Sequence, residues 1–394
     1  MFALVCLISC FFLSSTEPPE VACTDTDLSP LQNALKEAER QKGRSERIST
    51  LIEQIQQLDG VKQRKIAAVV GAAVADAAAR PLHWVYDNKA LQTYIEHVKE
   101  TPEFLPESKC PFYSLPTGEN SCYWDIAEAS LTAIAKSEKG AYDYDSICKE
   151  LEKSFGPENT NGYDATVFAE FAKKLKAKNI DAPHEGKYFH GAVINFLKAY
   201  ESDKDKKPYG DSKMRSTEGF CLLLPISLKF AGDPNFDMIS NEVIQTMTTW
   251  KTATQLAMTA SRIVNHLIES PSYDIMSIKH EIAESHPKAS RSIHEIQDAI
   301  SNMWGHSRSV IQEFGPACNN PSSFQGAIHA TVTSTSYTEA VRKTIGAGGC
   351  NCSRAFFIGA MCGAKYGIDG IPREWIEKTT HSEKILSLAI QAFS

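Results

Sequence analysis

Two cysteines separated by one residue, Cys350 and Cys352, are the side chains in this sequence best suited to chemistry. Thiols bind zinc and other borderline-soft ions, and a thiol beside positive charge ionises to a nucleophilic thiolate. If a helix begins at Ser353, Cys352 lies at the positive end of its dipole and beside Arg354, which favours the thiolate. Buried cysteines also pack simply as small apolar side chains, so the pair by itself leaves both interpretations open.

Two segments rich in alanine and glycine must position these side chains. Helical periodicity predicts one helix at 62–79 and another at 353–366, each with small residues along one face. Glycine inside a helix costs about 1 kcal/mol relative to alanine, so its repeated use indicates that neighbouring backbones approach closely. We expect both helices to lie deep in the fold, against each other. Asp76 lies on the first helix, and because a buried carboxylate needs partners, we expect it to cap or hydrogen-bond loop backbone.

Helical segments separated by Pro, Gly and Asn fill most of the remaining chain, and alternating strand patterns are scarce. The predicted fold class is therefore all-α, with long loops at 102–122, 201–219 and 313–325. A run that begins at Ile328 has a pattern typical of a strand, but it is short and lies between segments with helical periodicity. The other predicted helices are 125–138, 165–178, 190–200, 241–269, 292–312, 338–345 and 383–393.

The amino-terminal part differs in composition from the rest of the chain. Residues 2–13 are almost continuously apolar, too short a run to span a bilayer as a helix but typical of the central region of a secretory signal. No Lys or Arg precedes the run and no clean small-x-small cleavage site follows it, so 1–20 is a candidate signal peptide whose cleavage stays open. A polar stretch with apolar residues at helical steps follows, and we assign 21–61 as a helical extension. The main domain is placed at 62–394, with its boundary near Gly60.

The composition argues against several classes of function. With 394 residues, 23% charged and 42% hydrophobic, the chain is long enough to bury a large core. A net charge of −7 gives no general electrostatic reason to bind nucleic acid or an anionic membrane. The 11 cysteines include no zinc-finger spacing, and their odd number leaves at least one without an intramolecular partner. A small molecule or another protein is therefore the expected partner.

Five motifs follow one another along the chain: Gly71-Ala-Ala-Val-Ala-Asp76, Leu82-His-Trp-Val-Tyr-Asp87, Ser121-Cys-Tyr-Trp-Asp125, Gly348-Gly-Cys-Asn-Cys-Ser353 and Ile371-Pro-Arg-Glu-Trp375. With these motifs in this order, about residues 62–394 resemble the ADP-ribosylglycohydrolase family. The second and third motifs, together with Trp375-Ile-Glu-Lys-Thr, are most similar to the branch that contains the J1-type crystallins and their selenoprotein relatives.

The resemblance implies an orthogonal, all-helical domain with a pair of magnesium ions at its centre in active members. Carboxylates and threonine hydroxyls hold these ions, which position an ADP-ribose unit while its glycosidic bond is cleaved. Magnesium prefers such hard oxygen ligands. The implied partner is ADP-ribose or an ADP-ribosylated molecule. The resemblance favours a cytoplasmic location, whereas a genuine signal at 2–13 would imply secretion.

The resemblance also implies site residues, and this chain departs from most of them. Asp76 matches the aspartate of the first motif, but His83 stands where an acidic residue is expected seven positions later. The second motif, Thr-Asp-Asp-Thr in the family, has Trp124 at its first aspartate and keeps Asp125 at its second. Asp125 and Asp76 are therefore the candidate catalytic residues.

The third motif departs furthest from the family pattern Gly-Gly-Asp-Thr-Asp-Thr. Cys350 and Cys352 replace its two aspartates, and Ser353 replaces its last threonine. Asp125 and Ser353 are then the residual candidate metal ligands. One or two carboxylates cannot offset the dehydration of two magnesium ions, so the sequence favours a protein without the metal-dependent reaction and without a resident cofactor.

Superposed on the centre of the family fold, His83, Asp125, Cys350 and Cys352 would converge on one place. An imidazole, a carboxylate and two thiols suit zinc or a similar soft ion, or thiol redox chemistry. Alternatively, these four residues are side chains that simply pack well in a site that no longer serves catalysis. Three functions therefore stay open: a non-catalytic structural or ADP-ribose-binding protein, an active hydrolase of ADP-ribosyl bonds, and a redox or soft-metal protein using Cys350 and Cys352.

Four aromatic residues border the same motifs, namely Trp84, Tyr86, Tyr123 and Trp124. Their faces could stack on a ring of ADP-ribose. Core and loop packing is the more common use of such residues, and we expect it to be their main role here.

Overall fold

Helices account for nearly all of the regular structure in the described part of the chain, which confirms the all-α prediction. The structure is a computed structural model and describes residues 29–98, 101–137, 141–177, 183–286 and 289–394. The candidate signal peptide at 1–20 lies outside the described residues. The described residues divide into two compact units, one that ends at Ser45 and one that covers Glu46–Ser394. The domain boundary predicted near Gly60 stays a prediction.

Eighteen α-helices and one small parallel sheet lie within the described ranges. In chain order the helices are α1 (Ser29–Gln56), α2 (Gly60–Ala79), α3 (Asn88–Glu96), α4 (Cys122–Lys136), α5 (Tyr144–Phe155), α6 (Ala165–Lys176), α7 (Gly191–Ser202), α8 (Glu218–Lys229), α9 (Phe236–Gln245), α10 (Lys251–Glu269), α11 (Ile275–Ser285), α12 (Ser290–Ser301), α13 (Ser307–Phe314), α14 (Ser322–Val332), α15 (Tyr337–Ala347), α16 (Asn351–Tyr366), α17 (Arg373–Lys378) and α18 (Ser382–Phe393). Strand β1 (Tyr113–Ser114) pairs in parallel with strand β2 (His184–Glu185). Short 3-10 helices follow α2 and α16, at Arg80–Leu82 and Ile368–Gly370. Among these helices, none is both long enough and apolar enough to pass through a bilayer.

Two of the predicted helices are interrupted in the structure. The segment 241–269 breaks between α9 and α10, where the Thr248 hydroxyl donates to the carbonyl of Met214 at 2.6 Å. The segment 292–312 breaks between α12 and α13, close to Gly305. Apolar periodicity continues across both breaks, so the sequence pattern did not reveal them.

The two helices rich in alanine and glycine, α2 and α16, are buried and pack against each other as predicted. A Cβ atom at Gly359 would lie 2.2 Å from the carbonyl oxygen of Gly71, and one at Gly363 would lie 2.1 Å from that of Ala67. These separations are far below van der Waals contact, so glycine is required for the approach. The close packing sets the position of the first motif relative to the third.

Side-chain caps determine where the helices of the first two motifs begin. Asp59 precedes α2 and accepts hydrogen bonds from the backbone N–H groups of Val61 and Lys62. Ser121 precedes α4 and accepts a hydrogen bond from the N–H of Tyr123. Both caps satisfy backbone donors that a helix start otherwise leaves unpaired.

Candidate functional site

The loop that follows α2 and the loop that precedes α16 are joined by backbone hydrogen bonds. Trp84 N donates to Gly349 O at 2.8 Å, and Gly349 N donates to Val85 O at 2.8 Å. Gly349 has a φ of 63°, and a Cβ at this position would collide with the backbone of a third loop. The pairing places His83 directly beside Cys350.

Cys350 lies at the centre of a polar group that we call the Cys350 cluster, consisting of His83, Tyr113, Tyr123, Cys318 and Cys350. His83 Nε2 is 3.3 Å from Cys350 Sγ, and Tyr123 OH is 3.2 Å from the same sulfur. The other ring nitrogen, His83 Nδ1, is 2.8 Å from Tyr113 OH. Cys318 is close enough to Cys350 for the two thiols to shift each other's pKa. Cys318 is partly exposed, whereas the other four side chains are buried.

The two thiols of the cluster differ in acidity. Burial disfavours the thiolate of Cys350, but a hydrogen bond from Cys318, followed by the charge and the hydrogen bond of His83, outweighs this effect and holds the Cys350 pKa well below its usual value. The same bond, together with burial, raises the pKa of Cys318 well above that of an ordinary thiol. Burial lowers the pKa of His83 more than the nearby Cys350 raises it. The cluster therefore holds one acidic thiol beside a thiol that keeps its proton.

The second cysteine of the Cys-x-Cys pair has a different environment. Helix α16 begins at Asn351, before the expected start at Ser353, and Cys350 occupies the N-cap. Cys352 Sγ donates to Asp76 O at 3.8 Å. Burial and the nearby Asp76 carboxylate raise the pKa of Cys352 well above its usual value. The expected thiolate at Cys352 is therefore wrong, because burial against α2 outweighs the helix dipole.

Asp76 joins α2 to the start of α4. Its carboxylate accepts hydrogen bonds from Ser121 N at 2.7 Å, Ser121 Oγ at 2.5 Å and Asn120 Nδ2 at 3.1 Å. Burial raises the Asp76 pKa to about 6 in spite of these bonds. The bond to Ser121 N confirms the expectation that Asp76 holds loop backbone, and both carboxylate oxygens are engaged within the protein.

Asp125, the carboxylate kept in the second motif, is paired with an internal cation. Lys187 Nζ lies 2.8 Å from Asp125 Oδ2, and Tyr163 OH donates to the same oxygen at 2.6 Å. The Lys187 and Asp125 side chains are 12% and 11% exposed, so water screens this ion pair weakly. Burial raises the pKa of Asp125, and the charge of Lys187 opposes that rise. Lys187 thus supplies the positive charge that a metal ion would supply to this carboxylate.

The four side chains expected to converge do not form one site. His83 and Cys350 are neighbours, but Cys352 is bonded to the backbone of α2. Asp125 is bonded to Lys187. Within the described ranges, the group of His, Cys, Asp or Glu residues whose ligand atoms are close enough to share an ion lies on α12 and includes none of these four. The expected convergence, and with it a zinc site built from all four side chains, is wrong.

The remaining predicted positions, Ser353 and Trp124, make internal hydrogen bonds. Ser353 Oγ donates to Cys350 O at 2.9 Å and lies 3.0 Å from Ser323 Oγ. Trp124 is buried, and its Nε1 donates to Glu128 at 3.2 Å. The Ser353 hydroxyl is therefore engaged by the protein itself, and Trp124 has no oxygen to offer a metal.

The residues at the metal positions of the family do not fit a magnesium pair. Magnesium needs several oxygen ligands in near-octahedral geometry, together with negative charge to offset its dehydration. Of the two carboxylates available, Asp76 is saturated with hydrogen bonds and Asp125 is neutralised by Lys187. Thiols stand at two further positions, and magnesium has little affinity for sulfur.

Aromatic side chains pack around the Cys350 cluster. The Trp84 ring stacks on the His83 ring with centroids 4.1 Å apart and on the His190 ring at 5.7 Å. Tyr123 is completely buried, whereas Tyr86 is 42% exposed. Stacking on a ligand requires an accessible ring face, so packing is the better interpretation for Trp84 and Tyr123. Tyr86 is the more accessible ring.

Three residues that shape the site escaped the sequence analysis. Tyr113 and Cys318 lie in the predicted loops 102–122 and 313–325, and Lys187 lies between β2 and α7. None of them belongs to a motif. The high number of cysteines was the one signal in the sequence for Cys318, and no spacing linked it to Cys350.

Comparisons with known proteins agree with this fold and with the motif order. The family model described as ADP-ribosylglycohydrolase matches residues 57–394. The chain therefore belongs to the ADP-ribosylglycohydrolase family. Members of this family typically depend on a divalent metal and act on ADP-ribosylated substrates.

Among individual proteins, the chain is similar to two crystallins of Tripedalia cystophora. Crystallin J1A is 26% identical over 343 residues, which cover 84% of this chain and 97% of that protein. Crystallin J1B is 24% identical over 334 residues, which cover 84% and 96%. These matches confirm the resemblance to J1-type crystallins. A solved structure described as an ADP-ribosylglycohydrolase-related protein complex has a TM-score of 0.59 and 15% identity, covering 85% of this chain and 99% of that one, and supports the fold alone.

Proposed function

We propose that this protein keeps the fold of the ADP-ribosylglycohydrolase family without its magnesium-dependent reaction, and that it serves as a structural or ADP-ribose-binding protein. The observation that carries the proposal is the ion pair between Lys187 and Asp125, with 2.8 Å between Nζ and Oδ2. An ammonium group at that distance from the one carboxylate kept in the second motif repels a divalent cation from it.

The other residual groups add to this argument. Asp76 directs both oxygens at the start of α4, and Ser353 bonds the backbone of Cys350. To bind magnesium, these groups would have to give up internal hydrogen bonds and leave buried donors unpaired. The similarity to two proteins that are named crystallins favours a structural role. The alternative function is an active hydrolase of ADP-ribosyl bonds.

Calorimetry and an activity assay on the full-length protein separate these functions. Titration with magnesium chloride to millimolar concentration should give no binding heat, and an ADP-ribosylated protein should release no ADP-ribose in a magnesium-dependent manner. Heat on titration with ADP-ribose alone would assign a binding role, and its absence would assign a structural one. Release of ADP-ribose that requires magnesium would overturn the proposal in favour of the hydrolase.

A variant with the family carboxylates restored provides the positive control. Trp124→Asp, Cys350→Asp and Cys352→Asp together return the three replaced aspartates. With Lys187→Ala added to remove the competing cation, we expect measurable magnesium binding if the remaining scaffold still has the family geometry. Far-ultraviolet circular dichroism checks that the variant is folded before it is titrated.

A further inference from the structure

A cavity of about 690 Å³ lies where α13 and α15 meet. The residues on its wall come mainly from the start of α13 and from α15, and include Ser307, Arg308, Glu339, Arg342 and Lys343. Small-molecule sites usually have a volume of about 300–1,000 Å³, so the cavity is large enough for a small organic ligand. Among the described residues that line it, none belongs to the Cys350 cluster or to the metal positions of the family.

Cationic side chains outnumber carboxylates on the described wall of this cavity. Arg308, Arg342 and Lys343 line it, whereas Glu339 supplies the one carboxylate. Arg342 is paired with Glu103 through two hydrogen bonds of 2.9 and 2.7 Å. Lys343 Nζ lies 2.8 Å from Glu339 Oε1. Within the described ranges Arg308 has no carboxylate at ion-pair distance, so the protein does not fully offset the positive charge of the cavity.

The Arg308 side chain is held in place while part of its guanidinium stays available. Its Nε donates to Gly346 O on α15 at 2.7 Å, which leaves the donors of both Nη groups for another acceptor. Arg308 is partly buried, and burial lowers its pKa, because the surroundings solvate the charge less well than water does. An anion in the cavity would offset this cost. A guanidinium that is already held also loses little freedom when it binds a ligand.

Further hydrogen-bond donors lie on the same wall and add to those of Arg308. Helix α13 begins at Ser307, and no side chain caps its first turn. Backbone N–H groups at such a helix start attract anions. Ser336 and Thr338, which carry hydroxyl groups, also line the cavity. A phosphate group presents three oxygens in a tetrahedral arrangement and can bind donors from several directions, whereas a carboxylate presents two in one plane.

We propose that this cavity binds a small molecule that carries a phosphate group, and that the Arg308 guanidinium binds the phosphate. The Nη groups of Arg308 would donate two parallel hydrogen bonds to phosphate oxygens. The apolar side chains of Ile95, Pro102 and Met303 line the same cavity and would contact the organic part of the ligand. No metal position and no residue of the Cys350 cluster takes part, so the proposal stands or falls separately from the proposed function.

Calorimetric titration of the full-length protein with sodium phosphate, at constant ionic strength, tests the proposal. We expect binding at one site, and Arg308→Met should weaken it about tenfold or more, as expected for the loss of hydrogen bonds from a charged group. Arg64→Met is the matched control, because Arg64 Nε also donates to a carbonyl oxygen, that of Ile268 at 2.6 Å, but Arg64 does not line the cavity. This variant removes the same charge and should keep the wild-type affinity for phosphate.

Three calorimetric results would overturn the proposal. The first is the absence of binding at millimolar phosphate, and the second is an equal loss of affinity in Arg308→Met and Arg64→Met. The third is equal or tighter binding of sodium acetate, which would contradict the assignment to a phosphate.

Chemical modification of the wild-type protein decides the matter even if Arg308→Met folds poorly. Phenylglyoxal reacts with guanidinium groups, and peptide mapping by mass spectrometry measures the modification of each arginine. We expect phosphate to slow the modification of Arg308 and to leave that of Arg64 unchanged. Modification of Arg308 at the same rate with and without phosphate would also overturn the proposal.

Discussion

Replacing Gly359 with alanine tests the close packing that positions the first and third motifs. The Cβ of alanine would lie 2.2 Å from Gly71 O, 2.7 Å from Gly71 C and 2.8 Å from Ala75 Cβ. Two of these atoms belong to the backbone of a buried helix and cannot rotate away. The helices α2 and α16 must therefore move apart by about 1 Å along this contact, which loosens the packing on both sides of it.

The size of the effect follows from two opposing contributions. Overpacking a buried contact costs typically 1–3 kcal/mol and occasionally more, and a clash with backbone belongs at about the upper end of that range. Alanine instead of glycine inside a helix stabilises by about 1 kcal/mol. We therefore expect Gly359→Ala to lower the free energy of unfolding by about 2 kcal/mol or more.

Gly346→Ala is the matched control, since Gly346 also lies in a helix but no atom lies within 4 Å of the position its Cβ would take. This variant should gain up to about 1 kcal/mol, so the two variants should differ by about 3 kcal/mol, or roughly a hundredfold in the folding equilibrium. Urea unfolding followed by far-ultraviolet circular dichroism measures the difference, with equal m-values required for the comparison. If Gly359→Ala is as stable as Gly346→Ala, the argument from close approach is refuted.

Three further predictions concern buried polar groups. Because burial raises the Asp76 pKa from 3.8 to about 6, its contribution to stability is present at about pH 4 and lost as the pH rises through 6, by at most about 3 kcal/mol. Asp76→Asn should remove this part of the pH dependence, and identical slopes of unfolding free energy between about pH 4 and 7 in variant and wild type would contradict the assignment. Lys187→Met leaves the Asp125 carboxylate buried without its cation and should lower the free energy of unfolding by about 3–5 kcal/mol. The Lys187→Arg variant keeps the positive charge and should lose much less stability. Equal losses in urea unfolding would rule out the ion pair as the cause. Arg354→Lys removes the planar donor set that bonds Thr344 Oγ1 and the carbonyl of Pro316, and thermal and urea unfolding should show a loss of about 1–3 kcal/mol, against which an unchanged midpoint would argue.

Local pattern was sufficient to predict the fold class and the contact between α2 and α16. Helical periodicity is a property of neighbouring residues and is therefore visible in the sequence. The glycines and alanines along one face of each helix likewise indicate that another backbone approaches closely. The interruptions between α9 and α10 and between α12 and α13 were missed, because the first depends on a hydrogen bond from Thr248 to the distant Met214. Such a bond has no local signature.

The candidate site shows the same division between local and distant information. The motifs placed Asp76, Asp125 and Cys350 at family positions, and the role of Asp76 in bonding loop backbone was predicted correctly. Their individual partners were not, because Lys187 and Cys318 come from irregular segments outside any motif. The lowered thiol pKa expected at Cys352 is found instead at Cys350, because burial and the nearby Asp76 raise the pKa of Cys352.

The sequence by itself determined that this protein is all-helical, that it has the motif order of its family, and that sulfur replaces oxygen at two positions of the third motif. Residue types and short-range spacing are sufficient for each of these conclusions. Only the tertiary structure decided that Asp125 is neutralised by Lys187 and that Cys350 lies beside His83 and Tyr123. The physical reason is that the energetics of a buried charge or thiol depend on which groups surround it, and packing brings those groups together from distant parts of the chain.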